Sequence, residues 1–348
     1  MGRLRIAVVG AGSIGCYVGG HLARGAEVTL IGRPRVVDAI RRDGLTVTDL
    51  ARARRHVAPD EVRLETEMSA VAGHELVLVT TKAIVNDDIA AQMGPYLTPD
   101  SVLLSLQNGV RNVSILEGGL ERAFPSRASR PLVLAGVVHH NVVADDPATY
   151  EATTSGGITV KDHPRVDPFV RVARQSGLHV DVEPDMRGVL MGKLLLNLNN
   201  AVNALSGLPL RTELRNRDHR RVLAASQEEA IAVSRAAGVT PARTGPLPAS
   251  LVPRVLRSPT PVFTALARTT LKVSPTARSS MADDLAHRRR TEIDEFQGVV
   301  VALGERYGIE TPVSERLVEL VVDAEQRALA GEDIQTYTGP QLRRAVGL

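Results

Sequence analysis

Of the 348 residues only four are lysines, Lys82, Lys161, Lys193 and Lys272, set against many arginines. Where arginine could do the solvating, each lysine becomes a candidate for chemistry. Lys193 stands in the apolar helical stretch Met191-Gly192-Lys193-Leu194-Leu195-Leu196-Asn197. An ammonium among leucines must be paired or line a cavity, and partial desolvation lowers its pKa toward values useful for proton transfer. Asn197 lies four residues on, along the same face, with Asn200 a turn further. The alternative is a lysine whose stem covers apolar surface while its head reaches water. Lys82 closes the apolar run at 77–80, and Ser105-Leu106-Gln107-Asn108-Gly109-Val110 follows another. An amide such as Asn108 at a strand end can hydrogen-bond two ligands that meet there. Later, Ser279-Ser280-Met281 and Arg290-Thr291-Glu292-Ile293-Asp294 offer a hydroxyl and a carboxyl. On one straight helix Ser280 and Glu292 would stand about 18 Å apart. Either the chain bends near Ser280, or Ser280 serves partly as an N-cap with Asp283 completing a Ser-x-x-Asp box. Glu292, flanked by arginines, reads by itself as a surface ion-pair partner.

The element that must hold these groups over a cofactor begins the chain. Gly10-Ala11-Gly12-Ser13-Ile14-Gly15 follows a strand and opens a helix, the context in which GxGxxG signals a dinucleotide. Gly10 permits the tight turn, Gly12 lets backbone approach a pyrophosphate, and Gly15 lets helix and strand pack closely. The pyrophosphate then sits on the positive end of the helix dipole. NAD-specific units place an acid at the end of the second strand. Here Glu27 lies at that strand's start, whereas its end reads Gly32-Arg33-Pro34-Arg35. A guanidinium at Arg33 suits a 2′-phosphate, so NADP(H) is favoured over NAD(H); an exposed arginine without a partner is the other reading. Cys16, one residue into the helix, reads as a small side chain packed on the sheet rather than a nucleophile.

Strand patterns at 5–9, 27–31, 76–80, 102–105 and 132–137 alternate with helical ones at 14–24, 87–96 and 112–119. Such alternation, with nearly continuous apolar strands, predicts a parallel sheet covered on both faces. Residues 150–153 and 157–161 around Ser155-Gly156 read as a hairpin or an antiparallel edge, followed by a helix at 166–176 and a strand at 179–182. Beyond about 184 strand signals vanish, and long helical patterns cover 189–205, 281–307 and 313–330. Residues 240–274 read as short or broken helices, and the chain from about 331 as a polar tail. The expected fold class is α/β: a Rossmann-type doubly wound parallel sheet (1–183) with a C-terminal all-helical domain (184–348).

Composition bounds the rest. An apolar content of 43% with 23% charge belongs to a globular chain. No run approaches the roughly 20 apolar residues of a membrane span, and no signal-peptide core is apparent. A net charge of +3 and four phenylalanines without tryptophan give no stacking platform for nucleic acid. One cysteine, Cys16, fits a reducing compartment, so the expectation is a cytoplasmic protein without membrane or nucleic-acid partners, and no metal site is expected.

GxGxxG, the lysine closing a sheet strand, Gln-Asn-Gly, Lys-x-x-x-Asn, and Ser-Ser-Met followed by Thr-Glu-Ile-Asp and Gly298 occur in the order found in one family. The sequence resembles the ketopantoate reductases (2-dehydropantoate 2-reductases) over roughly residues 5–325. The resemblance implies NADPH-dependent reduction of a 2-oxo acid, ketopantoate, within pantothenate synthesis. By the same resemblance Lys193 is the general acid and Glu292 an acid lining the cleft near cofactor and substrate. Asn108, Asn197 and Ser280 orient substrate. Gly10, Ala11, Gly12, Ser13, Ile14, Gly15, Arg33, Lys82, Asn108 and Glu292 meet the cofactor, and a homodimer forms through the helical domain. Two positions depart from the family pattern: Ala201 where a second substrate amide is often found, and Arg211 where a small polar residue contacts substrate. The segment 240–275 is also longer than usual. These departures leave open a reductase of a different 2-oxo acid with the same lysine mechanism; a non-catalytic NADPH-binding sensor would be expected to have lost Lys193 or Glu292.

Overall fold

In the strand β1 (Leu4–Val9) successive side chains enter different cores. Ile6 and Val8 join Tyr17, Leu22 and Phe169 on one face; Ala7 and Val9 join Ile89, Met93 and Leu116 on the other. Burial on both faces explains why the strand reads as an apolar run rather than an alternation. The computed structural model describes residues 2–267 and 276–348, and the chain divides into two units, Met1–Met186 and Arg187–Leu348.

In the first unit β1 is followed by α1 (Ser13–Leu22), β2 (Ala26–Ile31), α2 (Pro34–Asp43), β3 (Leu45–Thr48), β4 (Arg54–Val57) and β5 (Arg63–Glu65). Next come β6 (Leu76–Val79), α3 (Asn86–Met93), β7 (Val102–Ser105), α4 (Asn112–Leu120) and β8 (Leu132–Val138). The unit ends with β9 (Val142–Asp146), β10 (Thr149–Ala152), β11 (Ile158–Lys161), α5 (Asp167–Gln175) and β12 (Val180–Glu183). The main sheet has the order β12-β11-β8-β7-β6-β1-β2-β5, parallel except where β11 meets β8. Its register pairs Val9 with Ile31 and with Val79, and Val79 with Ser105. The glycine turn, Arg33, Lys82 and Asn108 therefore all leave the sheet at one carboxyl edge, where open α/β sheets bind ligands.

A second sheet, β4-β3-β10-β9, lies outside the sequence expectation. Leu45, Val47, Tyr150 and Ala152 pack it into the core that holds α1, and a Cβ at Gly20 of α1 would fall 2.9 Å from Val47 Cγ1. Of the two readings at 150–161 the hairpin is therefore incorrect, whereas antiparallel pairing holds for both strands, each with another partner. β10 belongs to this small sheet, whereas β11 pairs antiparallel to β8 in the main one. Tyr150 and Ile158 both lie in the core that holds α1, and Gly156, at φ +148°, carries the chain between the two sheets.

Among its described residues the second unit is wholly helical: α6 (Met186–Asn197), α7 (Asn199–Ser206), α8 (Leu210–Arg215), α9 (Arg217–Ala236) and α10 (Val252–Arg257), then α11 (Thr260–Leu266), α12 (Ser280–Ala286), α13 (Gln297–Tyr307), α14 (Pro312–Ala330) and α15 (Gly339–Ala345). The expected helix at 189–205 breaks at Leu198. The expected helix at 281–307 is likewise two, α12 and α13. Arg288 takes φ +53° between them, and Thr291 is drawn aside as its N–H and hydroxyl donate to Glu325 Oε2 at 2.7 and 2.8 Å. The expected polar tail instead ends in α15, capped by Thr338 with Gln341 and burying Leu342 and Val346. Within 240–274, α10 and α11 are short as expected, and residues 268–275 lie outside the described ones. No described helix is long and apolar enough to cross a membrane.

Candidate active site

The glycine turn is fixed by backbone contacts at two of its three glycines. Gly10 has φ +104°, and its N–H and that of Ala11 both donate to Ile31 O at 2.9 Å. A Cβ there would fall 2.7 Å from Thr81 N, and one at Gly15 only 2.2 Å from Gly10 O. Gly12 is different, because a Cβ on it would meet no protein atom within 4 Å. The fold does not require that glycine, so its open face is a cradle that fits a ligand's pyrophosphate. Ser13 and Ile14 form the first turn of α1, which carries no acidic residue and no side-chain cap. Its leading N–H groups are left for an anion. Cys16 is buried, and burial pushes its thiol up to about 12, which suits packing and not nucleophilic work.

At the end of β2, Arg33 is the N-cap of α2 and Arg35 lies in its first turn. Both are exposed, and among the described residues neither has an ion pair. Cations at the positive end of a helix are unfavourable by themselves, so a pair of them fits an external anion such as a 2′-phosphate. Lys82 caps the short turn Ala83–Val85 at the end of β6, partly exposed. Asn108 follows β7, also partly exposed, beside Gly109 at φ +104°.

In the helical unit Lys193 is only 8% exposed, which removes the reading of a head reaching bulk water. Burial pulls its ammonium from 10.5 down to about 8. Two glycines set α6 in place: a Cβ at Gly188 would fall 2.8 Å from Thr240 O, and one at Gly192 2.5 Å from Ala242 O. The break at Leu198 is held by two buried glutamines, since Gln227 Nε2 donates to Leu195 O at 2.9 Å and Gln297 Nε2 to Leu198 O at 2.8 Å. Asn197, partly exposed, ends α6 at this bend.

Ser280 is not the cap of α12. Ser279 is, accepting from Ala282 N at 3.2 Å, which leaves the Ser280 hydroxyl 3.5 Å from Asn200 Nδ2. Asn203 Oδ1 accepts from Ser279 N at 2.9 Å and docks α12 on α7. The break between α12 and α13 removes the straight-helix separation of Ser280 from Glu292. Glu292, partly exposed, begins the turn Ile293–Glu295 ahead of α13, whose Gln297 grips the α6–α7 bend. Ala201 is fully buried, and of its two amide neighbours Asn203 is buried too, its side chain held by Ser279, Leu208 and Glu213, whereas Asn200 is partly exposed beside Ser280. A fully buried acid, Glu213, escaped the sequence reading. Glu213 Oε2 accepts from Asn199 Nδ2 at 3.1 Å and Asn203 Nδ2 at 3.5 Å. It sits among polar residues in Arg211-Thr212-Glu213-Leu214, where no periodicity marks burial.

A parallel sheet with a glycine cradle at its carboxyl edge, joined to a helical unit bearing a buried lysine, defines a dinucleotide-dependent oxidoreductase. The profile of ketopantoate reductase PanE/ApbA matches residues 6–165, and that of the ketopantoate reductase PanE/ApbA C-terminal domain matches residues 185–325. The chain belongs to the ketopantoate reductase PanE/ApbA family, oxidoreductases acting on a CH–OH group. A 2-dehydropantoate 2-reductase of Mycobacterium tuberculosis is 30% identical over 325 residues, covering 92% of this chain and 97% of the relative. A PanE/ApbA family ketopantoate reductase from Ralstonia eutropha superposes with TM-score 0.79 and 32% identity, covering 93% of this chain and 99% of that one. A D-mandelate dehydrogenase, solved with NADH and anilino(oxo)acetate, shares the fold at TM-score 0.76 and 20% identity, covering 93% of this chain and 99% of that one.

Proposed function

We propose that the chain reduces ketopantoate to pantoate with NADPH, using Lys193 as the general acid. The observation that carries this reading is the buried ammonium of Lys193 on α6, lowered to about 8 by desolvation. Reduction of a carbonyl builds negative charge on its oxygen. A pre-positioned ammonium stabilises that charge before the proton moves from Nζ to the oxygen. At pH 7 a group of this pKa is about nine-tenths protonated and still gives up its proton readily. Bound NADPH supplies the hydride. Gly10 to Gly15 hold its pyrophosphate, Arg33 its 2′-phosphate, and Lys82 and Asn108 the nicotinamide side of the sheet edge. Asn197 and Ser280 orient the 2-oxo acid, and Glu292 lines the same cleft. Arg33 and Arg35, exposed and without an ion pair among the described residues, support NADPH over NADH.

A second reading, another 2-oxo acid reduced by the same lysine, is favoured by Ala201 and Arg211 standing where the family pattern places polar substrate contacts. Oxidation of NADPH, followed by its absorbance, with ketopantoate, pyruvate and 2-oxoisovalerate separates the two. Turnover with ketopantoate alone supports the first. Preference for another acid supports the second.

A further inference from the structure

Beneath the carboxyl edge, the loops after β6 and β7 are joined by a chain of buried amides. Ser105 Oγ donates to Gln107 Oε1 at 2.9 Å. Gln107 Nε2 donates to Asn86 Oδ1 at 2.6 Å and to Thr81 O at 2.8 Å. Asn86 Nδ2 in turn donates to Asn112 Oδ1 at 2.8 Å, and Asn112 Nδ2 to Asn108 O at 2.7 Å. None of the four side chains is more than 4% exposed.

The chain has a direction. Each amide accepts through its oxygen from one neighbour and donates through its nitrogen to the next, so reversing one member sets like atoms against each other along the rest. An apolar filling would avoid the desolvation of four polar groups, whereas a fully paired network fixes a single geometry. What this one fixes is specific. One end holds the carbonyl of Thr81, the residue before Lys82. The other end holds the carbonyl of Asn108, in a loop that Gly109 turns at φ +104°. The pyrophosphate turn is hydrogen-bonded to Ile31 O and to the Thr80 hydroxyl, which donates to Gly10 O at 2.8 Å, and it packs on Thr81 through Gly10, at the end of the amide chain away from Asn112.

We propose that Gln107, Asn86 and Asn112 are positioning residues that hold the Lys82 and Asn108 loops in the geometry that receives the nicotinamide half of the cofactor. This rests on the cofactor reading given above. In Asn112→Asp, which keeps the shape, one carboxylate oxygen still accepts from Asn86. The other replaces the donor and faces the Asn108 carbonyl, so the loop loses its anchor.

The test is calorimetric titration of wild type and Asn112→Asp with two ligands, NADPH and 2′-phospho-ADP-ribose, which is the cofactor without its nicotinamide. The expected result is an NADPH Kd raised about tenfold, the loss of one hydrogen bond of about 1.4 kcal/mol, with the Kd of the fragment unchanged. Equal weakening of both ligands would indicate a merely structural role and overturn the proposal, as would no change in either. If Asn112→Asp does not fold, Asn112→Ser, too short to bridge Asn86 and Asn108, decides by the same comparison. Wild type that binds neither ligand overturns the cofactor reading and this proposal together. Wild type that binds both, beside a variant with an unaltered gap, overturns this proposal alone.

Discussion

Glu213→Gln should stabilise the protein in alkaline solution and not in acid. The Glu213 side chain has no solvent exposure, Asn199 and Asn203 donate to Oε2, and Oε1 has no hydrogen-bond partner among the described residues. Burial raises the carboxyl from 4.5 to about 8, against the amide donors and the field of Arg220, which pull it down. At about 1.4 kcal/mol per pKa unit, holding the ionised form in that site costs about 5 kcal/mol. Because the folded pKa lies above the unfolded one, the group's contribution to stability is full below about 4.5 and is lost as pH rises through about 8. The glutamine keeps an acceptor for both asparagines but places an amide N–H₂ where Oε1 has no partner, at a cost of about 1–3 kcal/mol. The net gain at pH 9 is therefore about 2–4 kcal/mol, and at pH 5 the variant is equal to wild type or slightly weaker. Urea midpoints followed by far-ultraviolet circular dichroism at the two pH values measure this. A shift of the same size at both, or destabilisation at pH 9, would refute the reasoning.

Three other changes separate the parts of the site. Gly12→Ala should leave the urea midpoint unchanged, since its Cβ meets nothing within 4 Å, yet raise the NADPH Kd about tenfold or more. Gly15→Ala, whose Cβ meets Gly10 O at 2.2 Å, should lose about 2 kcal/mol of stability in the same denaturation. Arg33→Ala should weaken NADPH about tenfold to a hundredfold, the worth of a charge-assisted bond of about 1.5–3 kcal/mol, and leave NADH binding unchanged in a paired titration. With Lys193 at about 8, kcat/KM for reduction should be level near pH 6–7 and fall tenfold per unit well above pH 8; a profile flat to pH 10 would remove Lys193 from the proton transfer.

The main sheet was legible because strands buried on both faces, such as Val77-Leu78-Val79, are unbroken apolar runs that nothing else resembles. The small sheet was not. Its strand β4 reads Arg-Arg-His-Val with one buried residue, and β9 ends in two exposed aspartates, so neither carries a periodic signal. Helix breaks failed for a different reason. The apolar pattern runs through Leu198 without a proline or glycine, and the bend is maintained by Gln227 and Gln297 from distant helices, a tertiary cause invisible to local sequence. Of the site, Lys193 stood out because leucines surround it. The buried amides Asn86 and Asn112 did not, since asparagine at a loop or helix start ordinarily caps it. The Ser279–Ser280 pair shows how fine the margin is: a one-residue difference in the cap decides which hydroxyl is taken up by Ala282 N and Asn200 O and which meets the Asn200 side chain.

In the proposed reaction Lys193 protonates the oxygen of a 2-oxo acid, ketopantoate, reduced with NADPH. Its most direct test compares wild type with Lys193→Ala for ketopantoate-dependent oxidation of NADPH, with NADPH affinity measured on the same samples. The expected result is turnover in wild type and a loss of at least about a hundredfold in kcat for the variant, the usual worth of a general acid, with cofactor affinity retained. Normal turnover by Lys193→Ala would contradict it.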